Sequence, residues 1–147
     1  MPMEPRNPDY AARVRAIVEE ANFARALGLQ LAEVSPGRCV TTLAVRPDHW
    51  QQDGYVHAGV QATLCDHTAG SAAYSLVAPE DLVLTVEFKI NLLRPGVGQR
   101  LRCEAEVLRP GRSILVSEAW LYAVSGDDPD RLCAKATVTL AVANAGG

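Results

Sequence analysis

The stretch 51–78, QQDGYVHAGVQATLCDHTAGSAAYSLVA, limits what this chain can fold into more than any other. From Val60 to Val77 almost every residue is Ala, Val, Leu, Thr, Ser or Gly. A helix apolar on all sides belongs in the middle of a fold. This one nevertheless carries an acid, Asp66, with His57 at its start. A buried carboxylate is costly unless it is paired or put to use. Gly59, Gly70 and Ser71 leave room for another surface to pack very close. The pattern predicts a central helix over 57–78, stopped by Pro79, wrapped by a sheet and bearing a reactive group.

The flanking segments supply that sheet. Asn7-Pro8-Asp9 reads as a helix start, with Asn7 as N-cap and Pro8 at the first helical position. Tyr10, Val14, Ile17, Val18, Ala21, Ala24 and Leu27 follow at helical spacing until Gly28, so one N-terminal helix is expected within 1–27. Its one-sided stripe should lie outside the sheet or cover a cleft. Leu29 to Val34 and Cys39 to Arg46 read as a hairpin around Ser35-Pro36-Gly37-Arg38, followed by a polar loop to Tyr55. After Pro79 the period becomes two. Leu82, Leu84, Val86, Phe88, Ile90 and Leu92 alternate with polar residues, which predicts a long strand with one dry face. Leu101 to Leu108, Ser113 to Val124 and Leu132 to Ala143 are three more strands, and the tail 144–147 is expected to fray. The order of helix, two strands, helix and four strands predicts an α+β fold: a curved antiparallel sheet wrapped around the central helix, in a single domain over 1–147. One such layer leaves open edges and an uncovered face, so self-association is expected.

Composition excludes several classes. The net charge is −3, which argues against a nucleic-acid partner, since that calls for a basic face. Asp66 and His67 interrupt the apolar run, so no membrane span is expected. The N-terminus MPMEPRNPDY has no apolar signal region. Cys39, Cys65, Cys103 and Cys133 lack the paired spacing of a zinc site and read as reduced core thiols, which implies a cytoplasmic location. His49, His57, Asp66 and His67 are metal-ligand types, but their spacing matches no zinc pattern, so no metal is expected.

Several short motifs occur in a telling order. They are Phe23…Leu27-Gly28-Leu29, then Gly54-Tyr55-Val56-His57-Ala58-Gly59, then Leu64-Cys65-Asp66 with the acid nine residues after the His. Phe88 to Gly96, ending in Arg94-Pro95-Gly96, and Gly111-Arg112 complete the series. In this order and spacing the chain after residue 20 resembles the hotdog-fold acyl-CoA thioesterases of the PaaI-like branch. The resemblance implies that Asp66 is the general base or nucleophile. It implies that Ala58 offers its backbone N–H to the thioester oxygen and that His57 shapes that turn. Gln51 falls where the family places an Asn or Gln near the attacked carbonyl, and Thr85 where some members have a Ser that holds the attacking water. Gly59, Arg94, Gly111 and Arg112 are the implied substrate contacts, the two arginines toward coenzyme A phosphates. No cofactor is implied, because coenzyme A belongs to the substrate. Two departures stand out: Ala58 replaces the first Gly of the usual His-Gly-Gly, and Gly70 occupies the position of a water-orienting Thr.

Thioester hydrolysis needs a stabilised oxyanion and an activated water or a direct nucleophile. Free N–H groups at a helix start, backed by the dipole, suit the first need. Yet Ala58 and Asp66 are eight residues apart on one helix, roughly 12 Å by its rise. Both can act on one carbonyl only if the acid comes from a second copy of the helix running the other way. The chemistry therefore asks for a homodimer with two shared sites, alone or as a dimer of dimers. Two other readings stay open at this point: a hotdog-type enoyl thioester hydratase or dehydratase, and a non-catalytic acyl-CoA-binding module.

Overall fold

In the computed structural model, which describes residues 2–144, three α-helices and six strands follow in the order α1 (Tyr10–Glu19), α2 (Asn22–Leu27), β1 (Gln30–Ser35), β2 (Arg38–Ala44), α3 (Ala58–Tyr74), β3 (Asp81–Leu92), β4 (Arg100–Pro110), β5 (Ile114–Val124) and β6 (Arg131–Asn144), with a single 3-10 turn at Pro47–His49 between β2 and α3. The strands form one antiparallel sheet in the order β1-β2-β4-β5-β6-β3. It curves around α3, with α1 and α2 to one side, which is the expected hotdog arrangement. The core is the concave face of the sheet closing on the helix. Leu101, Cys103, Ala105, Leu121, Ala136, Val138 and Leu140 meet Leu64, Cys65, Ala69 and Ala72 there. Alternation along β5, buried then half-exposed, follows from the two-residue period of a strand with one covered face.

The N-terminal segment is two helices rather than one. The last turn of α1 is wide, with the Ala21 N–H reaching back to the Ala16 carbonyl at 3.2 Å. Ala21 is then extended (φ −60°, ψ 135°) and α2 restarts the helix. The break lets the chain reverse quickly, so that β1 returns beside α1, where the Glu19 carboxylate accepts the Leu31 N–H at 2.9 Å. Gly28 ends α2 in the left-handed conformation, φ 93°, which its lack of a side chain permits. The N-cap is Asp9 rather than Asn7, which acts two residues ahead of it: the Asn7 Oδ1 accepts the Asp9 N–H at 2.9 Å and its carbonyl accepts the Tyr10 N–H.

The central helix ends at Tyr74, four residues short of the span expected from Pro79. Ser75 terminates it. Its hydroxyl donates to the Ala72 carbonyl at 2.6 Å and accepts the Gly37 N–H at 2.8 Å, which fastens the helix end to the β1–β2 turn. Nor is α3 covered on all sides. Val60, Leu64, Cys65, Thr68, Ala69, Ala72 and Ala73 are buried, whereas Gly59, Ala62, Thr63, Asp66 and Gly70 form a partly open strip of mostly small residues.

The long strand β3 departs most from expectation. Its apolar residues do not share one face. Val83, Thr85, Phe88, Ile90 and Leu92 lie opposite Val142, Leu140, Val138, Ala136 and Ala134, which all stand on the helix side of β6. Leu82 and Leu84 lie opposite Ala143 and Ala141 and face outward, where Leu84 is 57% exposed. The cause is a bulge between Thr85 and Glu87, which adds one residue and exchanges the two faces beyond it. β3 is also an edge of the sheet, and most of it is exposed. At the far end, Asn144 closes β6 opposite Asp81 instead of fraying; residues 145–147 lie outside the described part.

Candidate active site

The start of α3 leaves one backbone donor free. A helix start leaves four N–H groups, beginning with the N-cap, without an intrahelical partner. Here the N-cap is His57, extended at φ −59° and ψ 140°. Its own N–H donates to the His49 carbonyl at 2.8 Å, and the Val60 N–H donates to the His57 carbonyl at 3.0 Å. The Gly59 N–H donates to His57 Nδ1 at 2.8 Å. Only the Ala58 N–H, at the first helical position, has no acceptor among the described residues. His57 thus occupies the neighbouring amides and leaves Ala58 exposed at the positive end of the helix dipole. A Cβ on Gly59 would come 2.9 Å from His57 Nδ1, so the glycine makes room for the capping ring.

Ala58 opens onto a cavity of about 400 Å³ between the 51–56 loop, the helix start and the end of β3. Gln51 and Arg94 line it too, so three of the expected site residues come together here. Gln51 shapes its own loop: its Oε1 accepts the Asp53 N–H and, at 3.3 Å, the Tyr55 N–H.

Asp66 lines a second, smaller cavity of about 170 Å³ along with Thr85, His67, Ser71 and Tyr74. The Thr85 hydroxyl donates to Asp66 Oδ1 at 2.7 Å. The hydrogen of Thr85 is therefore directed at the acid itself. His67 belongs to the scaffold, since its Nε2 meets the Ile17 carbonyl of α1 at 2.8 Å. His49 is buried, with Nδ1 accepting the Arg46 N–H at 3.1 Å and Nε2 against the Leu27 carbonyl at 2.9 Å.

Gly111 and Arg112 stand apart from both groups within one chain. They border a cavity of about 220 Å³ beyond the other end of α3, with Leu76, Val77 and Arg6. The turn demands glycine there, because a Cβ at Gly111 would fall 1.9 Å from the Ile114 carbonyl oxygen. One chain alone thus separates the expected residues into three places, ordered along α3: Gln51, Ala58 and Arg94 at its start, Asp66 and Thr85 midway, and Arg112 past its end.

Comparison with known proteins decides the family. A sequence profile described as "Thioesterase superfamily" matches residues 53–129, which includes the free amide, the acid and both arginines. The chain belongs to the thioesterase superfamily. A thioesterase family protein of Silicibacter pomeroyi has a crystal structure that superimposes with a TM-score of 0.88 at 38% identity, over 92% of this chain and 98% of that one. A putative esterase of Mycobacterium tuberculosis is 30% identical over 94% of this chain and 95% of its own length. A 1,4-dihydroxy-2-naphthoyl-CoA hydrolase of Listeria monocytogenes is 27% identical over 79% of this chain and 91% of its own. These thioesterase and esterase relatives place the chain among hydrolases that act on thioester or ester bonds. Among the described residues, no helix is long and apolar enough to cross a membrane.

One lining residue of this superfamily member is absent from the motif-based expectations. Gln61 is the only amide side chain within α3, buried one turn past Ala58 and lining the same cavity. An amide inside an otherwise apolar run was the signal available in the sequence.

Proposed function

We propose that the protein hydrolyses an acyl-CoA thioester to a free acid and coenzyme A at two sites shared across a two-fold dimer, without a cofactor. In each site the Ala58 N–H of one subunit receives the thioester oxygen, and Asp66 of the partner subunit activates water. The carboxylate takes a proton from the water, whose oxygen attacks the thioester carbon. Negative charge gathers on the former carbonyl oxygen against the Ala58 amide. The carbon–sulfur bond then breaks, and the thiol of coenzyme A leaves with a proton.

The observation that carries this reading is the pairing of one free helix-start amide with one acid, roughly 12 Å apart on the same open strip of α3. Neither reaches the other's substrate within a chain, and an antiparallel second helix brings both to one carbonyl. The strip is narrow enough for such an approach, since Gly59, Ala62 and Gly70 add little bulk. The exposed edge strand β3 runs beside it and offers unpaired backbone groups to its own copy. The helix-side residues Phe88 and Leu92, exposed in a single chain, would then be covered. The same antiparallel arrangement carries Arg112 of the partner subunit toward Arg94, so that both can meet the phosphates of one coenzyme A. Location in the cytoplasm, where acyl-CoA is made and used, fits this substrate.

The test is Asp66→Asn, assayed by thiol release from a panel of alkyl and aryl acyl-CoAs. Turnover should fall by about 10² or more, the scale of a lost general base, while fold and assembly are kept. A wild-type protein that binds acyl-CoA and releases no thiol would instead be a binding module.

A further inference from the structure

We propose that Gln61 accepts a hydrogen bond from the thiol arm of the substrate, at the amide N–H two methylenes from the sulfur. The inference rests on the thioesterase reading above and assigns the residue that recognises the constant part of the substrate.

Gln61 is 4% exposed and held firmly by one edge of its amide. Its Nε2 donates to the Val56 carbonyl at 3.3 Å and lies against Gly96, where an added Cβ would come within 3.0 Å. The other edge has no partner: Oε1 is buried and accepts no hydrogen bond. Among the described residues only the Ser71 hydroxyl shares that condition. Buried acceptors are nearly always satisfied, so a fixed and unpaired one calls for a donor from outside the chain. Reversing the amide would not help, since it would set the oxygen against the Val56 carbonyl.

The position identifies the donor. Gln61 follows Ala58 by three residues, a rise of roughly 4.5 Å, and lines the same cavity. In a coenzyme A thioester the first N–H lies four bonds from the thioester carbon, past sulfur and two methylenes, which spans about 5 Å at ordinary bond lengths. A carbonyl oxygen held at the Ala58 amide therefore leaves that N–H within reach of the next helical turn. Acyl groups need carry no N–H at all, whereas this amide is present in every thioester of coenzyme A or of a phosphopantetheine-bearing carrier. Arg94 at the same cavity places the cationic contact on the coenzyme A side, consistent with the arm lying there.

Two short thioesters of one acyl group test this. One is the S-acyl N-acetylcysteamine, which keeps the N–H. The other is the S-acyl 2-mercaptoethyl acetate, in which oxygen replaces it. Wild-type protein should favour the amide in kcat/KM by about 10-fold to 100-fold, the range for leaving a buried acceptor unpaired. Gln61→Met, similar in size and without an acceptor of that strength, should bring the two within about 2-fold, with circular dichroism and melting checking its fold. The wild-type comparison needs no variant. Equal wild-type rates, as expected if a water satisfies Oε1, overturn the assignment and leave the thioesterase reading intact. So does an amide preference that survives in Gln61→Met. If only full acyl-CoA is turned over, the inhibition constants of the two free thiols are compared and read the same way. A folded protein that hydrolyses neither short thioester nor any acyl-CoA overturns the thioesterase reading and this one together.

Discussion

Thr85 Oγ1 donates to Asp66 Oδ1 at 2.7 Å and so ties the edge strand β3 to the acid of α3. The bulge next to Thr85 is what sets this contact, because it holds Val83 and Thr85 on the helix side while redirecting the strand beyond them. One carboxylate oxygen is thereby fixed, and in the proposed mechanism Oδ2 is the one that meets the water.

Thr85→Val keeps the shape of the side chain and removes the donor. A hydrogen bond to a charged group is worth about 1.5–3 kcal/mol, so kcat should drop by about 10-fold to 100-fold with KM little changed. Steady-state kinetics on one acyl-CoA would show it, and an unchanged kcat would mean that Asp66 needs no such support.

Val86 is the extra residue of that bulge and is 61% exposed. Proline is tolerated at bulges and cannot donate, so Val86→Pro should spare the ladder to β6 and damage the outer edge. The expected product is a folded chain that sediments as a monomer or aggregates, and has lost activity. A soluble monomer with full activity would remove the dimer from the account.

The four cysteines give a separate check on the core. Burial pushes the Cys39 thiol up to about 12 and Cys133 up to about 11. Cys65 is raised as well, chiefly by a hydrogen bond with Cys103 and then by burial. Thiols raised in the folded state stay protonated where unfolded thiols ionise. The unfolded chain then binds fewer protons, so stability should fall as pH rises from about 9 toward 11, by up to about 1.4 kcal/mol per pH unit for each thiol. Urea midpoints at pH 8, 9 and 10 would record the fall, and Cys39→Ala or Cys133→Ala should lessen it. A midpoint that stays level, or thiol labelling of the folded protein at pH 8, would contradict the buried assignment.

Much of this was legible in the sequence because strong periodicity reports directly on burial. The apolar run of α3, the alternation of β4 to β6, and Gly28 as a helix stop all correspond to local rules. The split between α1 and α2 was hidden, because it answers to the return of β1 rather than to any breaker residue at Glu20 or Ala21. The faces of β3 were misread for a related reason. Counting by twos assumes an unbroken ladder, and nothing in Thr85-Val86-Glu87 announces a bulge. At the site, His57 and Asp66 stood out as departures from an apolar pattern, whereas Ala58 was found only through the family resemblance and its place at the helix start. Gln61 departs in the same way but belongs to none of the motifs, and its unpaired oxygen is visible only once Val56 and Gly96 are packed against it.

The central claim is that the amide and the acid of one site come from different chains, and mixing two inactive variants tests it most directly. One is Asp66→Ala. The other is Ala58→Pro, which removes the free N–H at the first helical position, where proline is accepted. His57 already has the extended backbone that a following proline requires. Each homodimer should be nearly inactive, since a lost oxyanion donor costs about 10²–10³ in rate. After subunit exchange, half the dimers are mixed, and each mixed dimer has one site with both defects and one with neither. Activity should recover to about a quarter of wild type by this count of sites in a two-fold dimer. No recovery, with exchange confirmed by mass spectrometry, would place both groups in one chain and contradict the account.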